Sequence, residues 1–248
     1  MKQCLVAVLL FITSLGVMAS DEDDRRTEVA RIRTELAANY YMRGLHAVAL
    51  DELKTALSAK SDYAQAHNVQ GLVYADLREF ESAERSFKRA LDINEKDPDI
   101  NHNFGWFLCN KVNRPADALR YFAAALRNPL YSSPLKSQQQ AGLCATKAGD
   151  LKAAENYLRL ADRAQADNPQ TLMGLAELAY LRGEYDNARV LLSRQARIGT
   201  PQADALWLNV KTERKLGNLE AAEGFGKELS RRFPNSEETR RLTAGQYD

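Results

Sequence analysis

Residues Ala64 to Asp97 read AQAHNVQGLVYADLREFESAERSFKRALDINEKD, and the places of Gly71, Ala83 and Ala90 within them decide the fold, because each recurs. Working outward from Gly71, small residues stand at Ala37, Gly71, Gly105, Gly142 and Ala176, in steps of 34, 34, 37 and 34. Outward from Ala83 run Ala49, Ala118, Ala154, Ala188 and Ala222; outward from Ala90 run Ala56, Ala125 and Ala161. A fourth series, Gly44, Gly149, Gly183 and Gly217, falls where one helix must turn into the next, and glycine there suits a left-handed cap. A period of this length is the signature of a repeat array. Small side chains at the eighth and twentieth positions let two antiparallel helices approach closely. Larger ones would part the axes and open voids in the seam. Leu53, Phe87, Phe122, Leu158 and Leu192 fill one equivalent position between them, and Pro98 and Pro169 suit helix starts.

These registers define six helix-turn-helix repeats starting near residues 30, 64, 98, 135, 169 and 203, an all-α architecture without a visible internal linker. The pattern resembles the tetratricopeptide repeat (TPR) over about residues 28–235, which implies a superhelical solenoid. An irregular bundle would not keep the step. The 37-residue step carries one extra residue in the turn 111–115 and two more within 128–134. In the last repeat Gly226 and Leu229 replace the expected large and small residues, as terminal repeats often depart. A short polar capping helix is predicted over 237–246, closing a TPR domain of residues 28–248.

Before the repeats, Lys2 leads into an apolar run from Leu5 to Val17, then Val17-Met18-Ala19, Ser20 and the acidic run Asp21 to Asp24. Residues 1–19 read as a cleavable export signal, too short to span a bilayer as a helix, and 20–27 as an acidic N-terminal segment. Removing 1–19 takes away Lys2 and Cys4 and leaves 33 basic against 33 acidic residues. That balance offers no basic surface for nucleic acid. The expected mature chain is an exported one.

Catalytic and metal signatures are missing. His46, His67 and His102 have no carboxylate or cysteine at zinc-site spacing. No nucleophile-histidine arrangement, phosphate-cradling glycine loop or carboxylate pair stands out. We therefore expect no enzyme, cofactor or small-molecule substrate. Cys109 and Cys144 lie on first helices of successive repeats, and in an oxidising compartment a disulfide is the expectation, with two buried thiols as the alternative.

What remains is the inner surface of the curl. In TPR superhelices first-helix positions two, five, nine and twelve face it, so the partner-binding groove is expected to include Arg31, Tyr41, Asn68, Leu72, His102 and Trp106. Such a mixed apolar and aromatic lining suits an extended or amphipathic peptide. Only Arg31 and Asn68 could serve a terminal-carboxylate clamp, so none is expected.

The middle of the chain is more particular than the repeat demands. Asn103-Phe104-Gly105-Trp106-Phe107-Leu108-Cys109 leads to Ala118-Leu119-Arg120-Tyr121-Phe122, Asn128-Pro129-Leu130-Tyr131, Ala141-Gly142-Leu143-Cys144 and Ala148-Gly149-Asp150. Leu206-Trp207-Leu208, Glu213 to Gly217 and Phe233-Pro234-Asn235-Ser236 follow. This ordered set resembles the PilW/PilF family of type IV pilus biogenesis and stability proteins, or pilotins. The resemblance implies a periplasmic scaffold that helps the outer-membrane secretin assemble, and it supports the Cys109–Cys144 pairing. Family members carry a lipobox cysteine after the signal. Here Cys4 comes too early to be one, so the expected form is unlipidated and meets the outer membrane through its partner. The alternative reading is a general periplasmic TPR adaptor for another envelope or secretion complex.

Overall fold

Several helices in this chain begin where a short polar side chain or a proline meets a turn. Asp97 accepts the backbone N–H groups of Asp99 and Ile100, both at 3.0 Å, and Pro98 follows as the first helical residue. Asn168 does the same for Gln170 and Thr171, at 3.1 and 3.2 Å, ahead of Pro169. Asp150, Asn218 and Ser236 cap three later helices. Each cap satisfies donors that the first helical turn leaves unpaired, worth about 1 kcal/mol apiece.

The structure, a computed structural model, describes residues 2–247, with side chains from residue 22 onward. Among the described residues there are thirteen helices and no strand. They are α1 (Lys2–Met42), α2 (His46–Ala59), α3 (Ala64–Asp76), α4 (Phe80–Ile93) and α5 (Pro98–Asn110), then α6 (Pro115–Leu126), α7 (Pro134–Lys147), α8 (Leu151–Ala164) and α9 (Pro169–Leu181). The last four are α10 (Tyr185–Ile198), α11 (Ala203–Lys215), α12 (Leu219–Arg232) and α13 (Glu237–Thr243). The export signal expected over 1–19 lies outside the residues whose side chains are described. The acidic stretch after it is not separate from the first hairpin: Lys60 Nζ donates to Asp23 at 3.1 Å and to Thr27 at 2.8 Å. Among the described residues, no helix is long and apolar enough to cross a membrane.

The chain forms two compact units, Met1–Asn113 and Arg114–Asp248. In the first, α1 packs on α2 and α3 on α4, with α5 against both α3 and α4. Its seams close as the small-residue series demands. A Cβ added to Gly71 would stand 2.8 Å from the Phe87 ring, so only glycine admits that ring. Phe87 in turn lies 5.5 Å from Phe104 and 5.4 Å from Phe107, centroid to centroid, in a fully enclosed aromatic cluster.

The second unit pairs α7 with α8, α9 with α10 and α11 with α12. The same rule holds: a Cβ on Gly142 would meet Leu158 at 2.5 Å. Departures in the last repeat have a physical reason. Gly226 leaves room for Leu242 of α13, which a Cβ there would meet at 3.3 Å, and Leu229 is fully buried beside Leu206, Trp207 and Val210. Tyr247 stacks on Trp207 at 5.7 Å and lies beneath Arg214 at 3.7 Å, so the chain's end helps close the last hairpin.

Turns inside the hairpins use left-handed backbone. Gly44, Gly149, Gly183 and Gly217 have φ between +73° and +78°. The second repeat has Arg78 at the equivalent place, with φ of 62°, a conformation that costs a side-chain-bearing residue about 1 kcal/mol or more.

Candidate partner-binding faces

Both units present first helices side by side, and each carries its own cluster of aromatic and charged groups. In the first unit the cluster joins the C-terminal ends of α1, α3 and α5. Asp76 accepts from Lys111 Nζ at 2.9 Å and is hydrogen-bonded by the Tyr41 hydroxyl. Lys111 in turn lies 5.2 Å from the centre of the Trp106 ring, a cation–π contact. Burial, reinforced by the Asp76 charge and hydrogen bond, holds the Tyr41 phenol well above its ordinary pKa. At Asp76 burial works the other way, but hydrogen bonds from Lys111 and Tyr41 prevail and keep the carboxyl below its usual range. Tyr41 and Trp106 are thus tethered through one ion pair, and both remain half-buried.

The structure sorts the six residues expected to line this face. Arg31 is exposed and engaged along its own helix, with Glu28 at 2.7 Å and Glu35 at 2.6 Å. Tyr41, Leu72 and Trp106 are half-buried. Asn68 is only 4% exposed; its carbonyl accepts from Asn103 at 3.2 Å and its amide donates to Gln65 at 3.3 Å. His102 is 2% exposed. Those two side chains are packed among helices and are not on the surface. Asp76 and Lys111, which connect the cluster, were not among the expected residues. Lys111 belongs to the turn with the extra residue, and that insertion is the signal that could have drawn attention to it.

In the second unit, α9, α10, α11 and α13 enclose a groove of about 470 Å³ that also includes Leu143 of α7. Leu143, Met173, Trp207 and Leu208 give it an apolar surface. Lys211 Nζ lies 4.8 Å from the Tyr180 ring centre and 6.0 Å from that of Trp207, and burial lowers its pKa despite the attraction of Glu177. Glu177 is open to water yet flanked by the groove walls; desolvation raises its pKa, Lys211 and Lys147 oppose this, and Asp204 adds to it. A wider cavity of about 800 Å³ opens between α11, α12 and Tyr247. Among the described residues, no group of three or more His, Cys, Asp or Glu is placed to hold a metal ion. Cys109 and Cys144 are buried, at 2% and 0% exposure.

A family model described as the tetratricopeptide repeat matches residues 34–98. The crystal structure of PilW, described as a widely conserved type IV pilus biogenesis factor, matches with a TM-score of 0.79 and 35% identity, covering 87% of this chain and 98% of that one. The type IV pilus assembly protein PilF of Pseudomonas aeruginosa is 24% identical over 247 residues, 96% of this chain and 98% of PilF. A structure of Pseudomonas aeruginosa PilF shares the fold, with a TM-score of 0.76 over 89% of this chain and 99% of that one, at 24% identity. Stacked hairpins with glycine-closed seams and a match running through nearly all of PilW lead to one assignment: this chain is a TPR protein and belongs to the PilW family of type IV pilus biogenesis factors.

Proposed function

We propose that this protein is an exported periplasmic scaffold that binds the type IV pilus secretin and promotes its assembly, with no catalytic site of its own. The observation that carries the reading is the similarity to PilW across nearly the whole chain, joined to a first-helix face with two tethered aromatics. Tyr41, Leu72 and Trp106 provide apolar anchors for a protein segment, and Arg31 is the charged residue at the N-terminal side. Aromatic anchors of this kind dominate the energetics of protein interfaces. Export places the chain beside the secretin, and the contact with the outer membrane runs through that partner.

Cys109 and Cys144 are joined as a disulfide in this reading, which suits two enclosed cysteines in an oxidising compartment. An intact mass lacking two hydrogens relative to the dithiol form supports the bond; the full dithiol mass from a periplasmic preparation rejects it. The function is tested in a strain lacking the gene. Loss of surface pili together with loss of secretin multimers is the expected result. Normal multimers in that strain would refute the proposal.

A further inference from the structure

The groove of the second unit is lined by three carboxylates against two cations, Lys211 and Arg241. Glu177, Asp204 and Glu238 line it, and none of the three belongs to an ion pair among the described residues. The cations beside them make no ion pair with them: Lys211 rests on the Tyr180 and Trp207 rings and acts on Glu177 only at longer range, as does Lys147, and Arg241 pairs with Glu237 of its own helix. Beneath this rim lies the apolar surface of Leu143, Met173 and Trp207. The three carboxylates do not form a cluster that could hold a metal ion, so each is placed to meet a separate cation.

A second, independent feature sits in the groove wall. Gln195 occupies the position held by Ala56, Ala90, Ala125 and Ala161 in earlier repeats. It is 8% exposed, and its side-chain carbonyl oxygen has no hydrogen-bond partner. A buried amide oxygen left without a donor destabilises a fold, and alanine would have closed the seam without that cost. Its presence at this site fits a donor brought by a guest.

We propose that the groove between α9, α11 and α13 docks a short basic segment of a protein partner, with lysine or arginine residues meeting Glu177, Asp204 and Glu238 and an aliphatic side chain resting on Met173 and Trp207. The volume of about 470 Å³ accommodates a few side chains and not a folded domain. Charge complementarity sets the sign of the partner; the apolar surface supplies the anchor. This face lies wholly within the second unit and does not depend on the partner of the first.

The test uses the full mature chain and a fluorescein-labelled, end-capped peptide alternating leucine and lysine, read by fluorescence anisotropy against its leucine–glutamate counterpart. The lysine peptide binds at least about tenfold more tightly, and raised salt weakens it. Glu177→Gln loses about fivefold in affinity or more with unchanged circular dichroism, as expected for one partly desolvated charge contact. Gln195→Ala raises the melting temperature yet weakens the peptide. Equal binding of the two peptides, or unchanged affinity in both variants, overturns the proposal, as does displacement of the lysine peptide by millimolar calcium at constant ionic strength. Neither the secretin nor the first-unit face enters this assay, so its outcome is independent of that of the deletion strain.

Discussion

Gly71 and Gly224 both sit inside helices, and they make opposite demands. Replacing an exposed helical glycine with alanine gains about 0.5–1 kcal/mol from backbone entropy. At Gly224 nothing lies within reach of an added methyl, so Gly224→Ala raises the unfolding free energy by about that amount, read as a higher urea midpoint at unchanged slope. At Gly71 the methyl would drive into Phe87, a fully buried ring held by Phe104 and Phe107, which cannot move aside. Overpacking there outweighs the entropic gain, and Gly71→Ala lowers stability by about 1–2 kcal/mol. A higher midpoint for Gly71→Ala would show that the seam is not closed as described. Glu177 gives a prediction in pH. Its folded-state pKa is raised, so the folded protein holds that proton more tightly than the unfolded chain, and stability from this group is lost as pH rises through the folded value. Glu177→Gln is therefore more stable than wild type at neutral pH, and the gap closes on lowering pH to about 4. The groups acting on it are Lys211, Lys147 and Asp204. A gap that stays constant with pH would remove the argument for a charge held at a cost.

Helices were legible in the sequence because punctuation and period agree. Starts expected at 64, 98, 169 and 203 coincide with α3, α5, α9 and α11, and the fourth repeat opens one residue early because Pro134 takes the first helical position. The capping helix ends at Thr243, short of the expected 246, where Gly245 turns left-handed. The expected groove was only partly readable. Positions two, five, nine and twelve tell which way a side chain leaves its own helix, not whether the neighbouring helix covers it. Asn68 and His102 satisfy the periodicity and are nevertheless enclosed, Asn68 by Asn103 of the next first helix. Pairings between repeats were also invisible, because they depend on rotamers reaching across a seam. Arg189 of α10 donates twice to Glu213 of α11, at 2.8 and 2.7 Å, and that carboxylate is nearly enclosed at 5% exposure. Glu213 begins one of the stretches that carry the family resemblance, and joining two successive hairpins is its structural task. Removing the cation leaves a buried charge alone. Arg189→Ala is expected to lower the urea midpoint, because the enclosed Glu213 carboxylate loses its partner, though less than breaking a fully buried pair would, since Arg189 is 38% exposed. A midpoint within a few tenths of wild type would reduce the pair to a surface contact.

At the scale of the molecule, paired helices leave, within each unit, the faces that successive first helices present. Two such faces exist here, one in each unit, and they differ in chemistry. The first offers Leu72 together with Tyr41 and Trp106, the last two tethered through the Asp76–Lys111 ion pair. The second offers an apolar groove rimmed by carboxylates that form no ion pair among the described residues. Net charge close to zero over the whole chain conceals this division, which is why composition excluded nucleic acid and could not indicate a sign for any partner. The most direct test is a pull-down of the purified pilus secretin by the mature protein and by its Leu72→Ala, Trp106→Ala double variant, with folding of the variant checked by circular dichroism. Wild type is expected to retain the secretin, and the folded variant to lose at least about tenfold in affinity, the usual effect of removing two central apolar anchors. Equal retention by both proteins, or none by wild type, would contradict the proposal.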